Sequence, residues 1–332
     1  MALRRQIAGA GCFAFEYPFK PNSSSMVVAS GVVASGSVIV DATTDHKHVA
    51  GQEIPMIDTL FRMASLVIRF LHNWRLYIYE GVELAIFMVS ACVFTVFLFD
   101  PSFPAFRLLP SAAIRRTLMG IAMGVTAILI IRSPMGKRSG AHFNPAITLT
   151  YLRLEKIARW DAAFYVIFQF AGGVFGVAVS ALATGSSIAV PAVDYAITVP
   201  GRYGTAAAFF AEFFMAVVLM GVVLWTSNRP ALASYTSCLV GILIALYILF
   251  FAPVSGFSIN PARTTGSAVF ANVWTAWWLY FIAPLLGMIT SAEIYVLAFG
   301  ADRILCAKLH PDPKYACPFL CHYPGHRHHG SL

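Results

Sequence analysis

Ser139-Gly140-Ala141-His142-Phe143-Asn144-Pro145-Ala146-Ile147-Thr148 and Ser255-Gly256-Phe257-Ser258-Ile259-Asn260-Pro261-Ala262-Arg263-Thr264 are two copies of one phrase. Ser, Gly, Asn, Pro, Ala and Thr recur at the same offsets. Such self-similarity marks an internal repeat. Each copy also reads locally as a helix start. Asn is a good N-cap, and Pro suits the first helical position, where its missing N–H would have no partner anyway. One Asn-Pro-Ala is an ordinary cap or turn, but two in matched phrases point to architecture.

Outward from the two phrases, the chain is a series of apolar blocks at about 77–99, 116–132, 160–184, 205–226, 231–252 and 274–299. Each has about the 20 residues that a bilayer requires. In lipid such blocks must be helices, which satisfy their own backbone polar groups. Two shorter apolar stretches, about 141–152 and 258–270, open with the repeated phrases and cannot span. The composition agrees: of 332 residues 58% are hydrophobic and 11% charged, against about 25% charged in a soluble domain. The formal charge of +8 suggests nucleic acid at first sight. The basic residues lie between apolar blocks, however, and read as topology signals, so no nucleic-acid partner is expected.

Each phrase follows the second long block of a three-block set. The halves, about 77–184 and 205–299, thus hold three spans and one half-span each. Three is odd, so the second half enters the membrane from the opposite face. The fold class expected is an all-α membrane protein, with six transmembrane helices and two re-entrant half-helices in an inverted repeat. The domain limits expected are a poorly ordered extension over 1–70, a channel-like domain over 71–302 and a basic Cys/His-rich tail over 303–332. The extension could also reflect an upstream start, with Met56 or Met63 as the alternative. Lys137, Arg138, Arg153, Lys156 and Arg159 flank the first half-span, and Arg303, Lys308 and Lys314 follow the last span. The positive-inside rule then puts both termini in the cytoplasm and the chain in the plasma or inner membrane.

Half-helices that begin at mid-membrane bring their positive dipole ends together there. Their caps fix Asn144 and Asn260, whose amide N–H groups are then available to a passing water oxygen. The phrases SGAHFNPA and SGFSINPAR, with the block pattern over about 75–300, resemble the major intrinsic protein family of aquaporins and glycerol facilitators. The run RSPMGKRSGAHFNPAITLTYLRL is more similar to bacterial members. The resemblance implies a passive channel whose Asn144, Pro145, Ala146, Asn260, Pro261 and Ala262 sit at the pore centre. Half-helix dipoles and an Arg exclude cations and protons in channels of this kind generally.

The resemblance further implies that Arg263 is the cationic wall of the narrowest constriction. By the family's spacing, Ile248, Phe257 and either Met123 or Gly124, with Met123 preferred, complete that filter. Many water-selective members carry His where this chain has Ile248. Core packing suits Ile248 and Met123 equally well. Glu80 and Glu212 lie inside the first helix of each half, and a carboxylate at that depth must accept several hydrogen bonds. The resemblance implies that each holds a re-entrant loop, with Glu83 competing for the role of Glu80. His142 is expected to be neutral and bonded to nearby backbone carbonyls. Thr264, Ala268 and the pair Tyr280-Phe281 lean toward water, because glycerol facilitators differ at these positions. The resemblance also implies a homotetramer with one pore per protomer.

No phosphate loop and no nucleophile with base and acid partners is recognisable, so no enzyme activity and no cofactor is expected. Water is the cargo expected. The alternatives are a glycerol or broad small-neutral-solute facilitator and a poorly conducting scaffold of the same fold. In the tail, Cys306, His310, Cys317, Cys321 and His322 have metal-ligand character without a standard spacing. The expectation there is a disordered basic tail with reduced thiols and no metal.

Overall fold

The computed structural model describes residues 55–325; for residues 55–62 and Ser65 it gives the helix but not the side chains. Eight helices carry the architecture. They are α1 (Pro55–Phe99), α2 (Ala112–Arg132), α3 (Pro145–Arg153), α4 (Arg159–Thr184), α5 (Gly204–Ser227), α6 (Thr236–Ser255), α7 (Pro261–Ala271) and α8 (Leu279–Phe299). Six of the eight, all but α3 and α7, are long and apolar enough to cross a membrane. The two half-helices start where the repeated phrases place them, at Pro145 and Pro261.

The boundary expected at residue 70 falls inside α1. Residues 1–54 of the expected extension lie outside the described residues, but residues 55–70 are the first turns of α1. Pro55 takes the first helical position, and no helix breaker follows before Gly81. At 45 residues, α1 is about 68 Å long, more than twice the roughly 30 Å hydrocarbon core. Its N-terminal turns therefore project beyond the membrane. Arg69, Asn73 and Tyr77 bond there to the Asp161 carboxylate at the start of α4, at 3.0, 3.0 and 2.6 Å.

Small residues set the helix spacing. In α4, a Cβ on Gly172 would stand 2.0 Å from the Gly81 carbonyl oxygen of α1. Between α2 and α6, a Cβ on Gly124 would stand 2.4 Å from the Gly241 carbonyl oxygen. Lipid tails are as apolar as the helices, so close backbone approach and dispersion, not the hydrophobic effect, hold such contacts. The halves interlock: α7 packs against α4 of the first half, and α3 packs against α8 of the second. Outward-facing Ile121, Leu129, Phe175, Phe210, Phe250 and Leu297 remain exposed, as a lipid-facing surface requires.

The tail differs from expectation. Described residues 304–325 fold back onto the bundle instead of forming a disordered basic segment. Asn228 Oδ1 accepts the backbone N–H groups of Leu305 and Cys306 at 2.7 and 3.3 Å. Leu309 donates its N–H to the Gly140 carbonyl at 3.0 Å, and Leu320 donates to Lys156 at 3.1 Å. Lys137 pairs with Asp312 at 3.0 Å. Leu309 and Phe319 supply the apolar contacts that a tail read only as basic conceals.

Candidate functional site

Both re-entrant loops are built on a buried carboxylate. Glu80 Oε1 accepts the His142 N–H at 3.0 Å, and Oε2 accepts the Phe143 N–H at 2.6 Å. Glu212 Oε1 accepts the Ser258 N–H at 3.0 Å, and Oε2 accepts the Ile259 N–H at 2.5 Å. These bonds turn two successive N–H groups inward and force left-handed backbone on non-glycine residues. Phe143 and Ile259 have φ of 31° and 46°, and Ala141 and Phe257 have 57° and 53°. Such conformations cost of order 1–3 kcal/mol each and persist only where the surroundings over-determine them. Glu83 does not replace Glu80 at the loop N–H groups; it accepts the Ser139 hydroxyl at 2.8 Å.

The loops deliver each chain to a capped helix start. Asn144 Oδ1 accepts the Ala146 N–H at 2.9 Å. Asn260 Oδ1 accepts those of Ala262 and Arg263 at 3.1 and 3.2 Å. The amide nitrogens then cross to the other half. Asn144 Nδ2 donates to the Ile259 carbonyl and Asn260 Nδ2 to the Phe143 carbonyl, both at 2.8 Å. The two half-helices are thus stapled tip to tip by a reciprocal pair of bonds. The sequence reading gives each Asn one amide hydrogen for a passing water oxygen and does not foresee the bond across the two halves. The cross-bonds take one hydrogen of each NH₂ group and leave the second.

Two chambers lie near this staple, and Phe87 and Phe257 are common to their walls. One is lined by Asn144 and Asn260 with Phe143, Ile147, Val223 and Ile244, and it has room for water centres of about 40 Å³. That exceeds the roughly 10–15 Å³ a cavity needs to hold a water. The other is larger, about 330 Å³, and Met123, Ile248, Phe257 and Arg263 all line it. Gly124 packs against α6, where an added Cβ would stand 2.4 Å from the Gly241 carbonyl oxygen, and Met123 is the one of the two that lines the chamber. Arg263 is 8% exposed, and its Nη1 has no protein partner. A charged donor buried without a partner is costly unless something in the chamber accepts from it.

His142 is buried, with its ring between Tyr151 at 5.1 Å and Phe319 of the tail at 5.4 Å. Its Nε2 contacts the Ala307 carbonyl at 2.8 Å and its Nδ1 the Thr148 hydroxyl at 3.1 Å. The carbonyl partner therefore comes from the tail, not from its own loop. Sequence reasoning missed this contact and also Leu309, which lines the chamber of the two asparagines. It missed Gln169 as well, whose Nε2 donates to Glu80 at 2.7 Å and to Thr148 at 3.0 Å. A Gln inside an apolar block was a signal available for the last of these. Of the tail residues with metal-ligand character, Cys306, Cys317 and Cys321 come together, whereas His310 and His322 do not join them.

The sequence profile of the major intrinsic protein family matches residues 68–295. The chain is 27% identical over 194 residues to Aquaporin Z of Photorhabdus laumondii, covering 56% of this chain and 84% of that protein. It is 33% identical over 202 residues to Aquaporin NIP3-1 of Arabidopsis thaliana, covering 59% of this chain and 62% of that protein. Bacterial and plant proteins thus both stand among its relatives. A solved structure, the aquaglyceroporin from Plasmodium falciparum, superimposes with a TM-score of 0.59 at 18% identity, over 69% of this chain and 99% of that one. At that identity the likeness speaks for the fold. With its family profile over more than half its length, its six spans and its two stapled half-helices, this multi-pass membrane protein belongs to the major intrinsic protein family, whose members are channels and not enzymes.

Proposed function

We propose that the chain is a passive water channel that excludes ions and protons. The observation that carries this reading is the staple, where two helix N-termini abut beside the small chamber, each tip held by an Asn amide. Water in that chamber accepts from the remaining amide hydrogens, which turns its own hydrogens outward and interrupts a proton wire. The two dipole ends amount to roughly half a positive charge each, and this field opposes cations. Arg263, with Met123, Ile248 and Phe257, forms the selective constriction on the other side of the staple. The Arg donates to the solute, and the apolar walls reject anything large or strongly hydrated. Glu80 and Glu212 position the loops and line neither chamber, whereas His142 supports its loop and also lines the small chamber.

A second reading, a facilitator of glycerol or other small neutral solutes, is favoured by one feature. Ile248 leaves the constriction without a second polar side chain, which suits the carbon face of a polyol. In the third, a scaffold that conducts little, Phe87 and Phe257 close the passage between the chambers. Stopped-flow light scattering of proteoliposomes separates the three. Fast shrinkage in sucrose indicates water, and fast re-swelling in glycerol indicates a facilitator. Rates equal to those of empty liposomes in both would overturn the channel reading. The chain is further assigned to the plasma or inner membrane as a homotetramer in the lipid bilayer, with both termini cytoplasmic. The basic residues around the first half-span and in the tail support that orientation.

A further inference from the structure

The folded tail carries a side-chain cluster that the pore does not use. The sulfurs of Cys306, Cys317 and Cys321 all lie within 4.8 Å of one another, with Cys306 Sγ 3.4 Å from Cys317 Sγ. Each of the three residues is at most 1% exposed, and none forms a disulfide. Three thiolates on one ion with bonds of about 2.3 Å stand roughly 3.8–4.0 Å apart, inside the range found here.

Three buried cysteines could simply fill an apolar core, but their surroundings are not those of inert packing. Backbone N–H groups approach two of the sulfurs, from Lys308 to Cys306 at 3.5 Å and from Tyr323 to Cys321 at 3.4 Å. Bonds of that kind orient thiolates and hold their charge. A fully buried ammonium completes the set. Lys308 is 0% exposed and donates to the carbonyls of Lys137, Tyr315 and Ala316 at 2.7, 3.3 and 3.0 Å. A divalent ion with three thiolates carries a net charge of −1, which Lys308 offsets; an isolated buried ammonium would be costly. Loading a divalent ion forms three metal–sulfur bonds and releases three protons to solvent.

We propose that Cys306, Cys317 and Cys321 bind one thiophilic cation of the Zn²⁺ or Cu⁺ class, which clasps the tail shut across one mouth of the pore. The ion ties the segment that leaves α8, at Cys306, to the segment that returns, at Cys317 and Cys321. Between these ties the chain presents Leu309 to the chamber of Asn144 and Asn260, and Phe319 stacks on His142. The loaded clasp therefore holds Leu309 in the water path. This consequence rests on the channel reading, whereas the ion site does not.

The test uses the full chain in detergent, stripped of metal under reducing conditions and titrated with Zn²⁺, with Co²⁺ as a spectroscopic probe. One ion per chain is expected, with a thiolate charge-transfer band for Co²⁺. Cys317→Ser should weaken binding at least tenfold, and Cys238→Ser should leave it unchanged. Zn²⁺ should also slow trypsin cleavage after the exposed Lys314 severalfold in the parent but not in Cys317→Ser. Equal binding by Cys317→Ser, substoichiometric zinc, or a Cys306–Cys317 disulfide in freshly isolated protein would overturn the site. Zn²⁺ should slow osmotic shrinkage of vesicles carrying the parent and spare those carrying Cys317→Ser. Stoichiometric binding with unaltered shrinkage would overturn the closure alone. Failure of both proteins to conduct water, with or without ion, counts against the channel reading and leaves the ion site standing.

Discussion

Asn260→Asp isolates the electrostatic role of the staple from its structural role. The Asn260 side chain does two jobs: its oxygen accepts from Ala262 and Arg263, and its nitrogen donates to the Phe143 carbonyl. Aspartate keeps both cap bonds, and its charge is favourable at a helix N-terminus. The single bond lost leaves the buried Phe143 carbonyl without its donor and facing a carboxylate oxygen, a cost of about 1–3 kcal/mol that a protein with the usual stability of about 5–15 kcal/mol survives. At the junction, however, a full negative charge replaces a donor. Two helix N-termini supply about +0.5 each, and one carboxylate cancels their sum. For a cation about 5 Å away, at an effective dielectric constant of about 20, that charge is worth about 3 kcal/mol. A reduction of that size in the barrier is about a hundredfold in rate. The assay is proteoliposomes loaded with a pH-sensitive dye, in which an imposed potassium or proton gradient should collapse in the variant and persist in the parent. Asn260→Asp vesicles that keep both gradients at parental water flux would refute the argument that these helix ends set the cation barrier.

Arg263→Val removes the only charged donor among the four residues proposed as the constriction and should raise glycerol flux about tenfold, corresponding to about 1.4 kcal/mol, by the re-swelling assay. Gly172→Ala sets a Cβ 2.0 Å from the Gly81 carbonyl oxygen and forces α1 and α4 apart. A loss of about 1–3 kcal/mol is expected, read as a lower thermal midpoint in detergent, and an unchanged midpoint would show that the helices yield freely. Glu212→Gln leaves one acceptor oxygen for the three donors Ser255, Ser258 and Ile259. The unmet bonds should cost about 1–3 kcal/mol and lower water flux, whereas flux equal to the parent's would separate the carboxylate from the loop's position.

The parts of this fold that the sequence discloses are those set by local chemistry. Asn-Pro at 144–145 and 260–261 starts a helix whatever surrounds it, and the residue counts between such starts and the apolar blocks determine how often the chain crosses. The parts it conceals are set by partners distant in sequence. Residues 55–70 read as a separate segment because charges interrupt their apolar pattern. A helix that projects past lipid needs no unbroken apolar run, and Asp161 of α4 anchors it through Arg69, Asn73 and Tyr77. The choice between Met123 and Gly124 turns on α6, where Gly241 admits the backbone of Gly124, and Met123 lines the chamber. The tail was misread for the same reason. Its basic residues are conspicuous, but Leu309 and Phe319 fix it, and their partners Gly140 and His142 lie more than 150 residues earlier in the chain.

The halves depart from symmetry at their carboxylates, and the departure lies on the side where the tail docks. In the second half Glu212 alone holds the loop, accepting from Ser258, Ile259 and the Ser255 hydroxyl. In the first half the same three kinds of donor are divided: Glu80 takes the two N–H groups and Glu83 the Ser139 hydroxyl. Gln169 then fills the position freed at Glu80 and bridges to Thr148, which also meets His142. His142 in turn meets the tail at Ala307 and Phe319. A chain of hydrogen bonds and stacked rings therefore runs from the Glu80 loop to the tail, whereas its counterpart around Glu212 runs from Ser258 through Thr264 to Thr198, at 2.6 and 2.8 Å, and ends in the connection between α4 and α5. The two halves therefore brace their loops against different segments: the first packs the His142 ring on the folded tail, and the second bonds Thr264 to the α4–α5 connection, while in each the two N–H bonds to the carboxylate place the Asn.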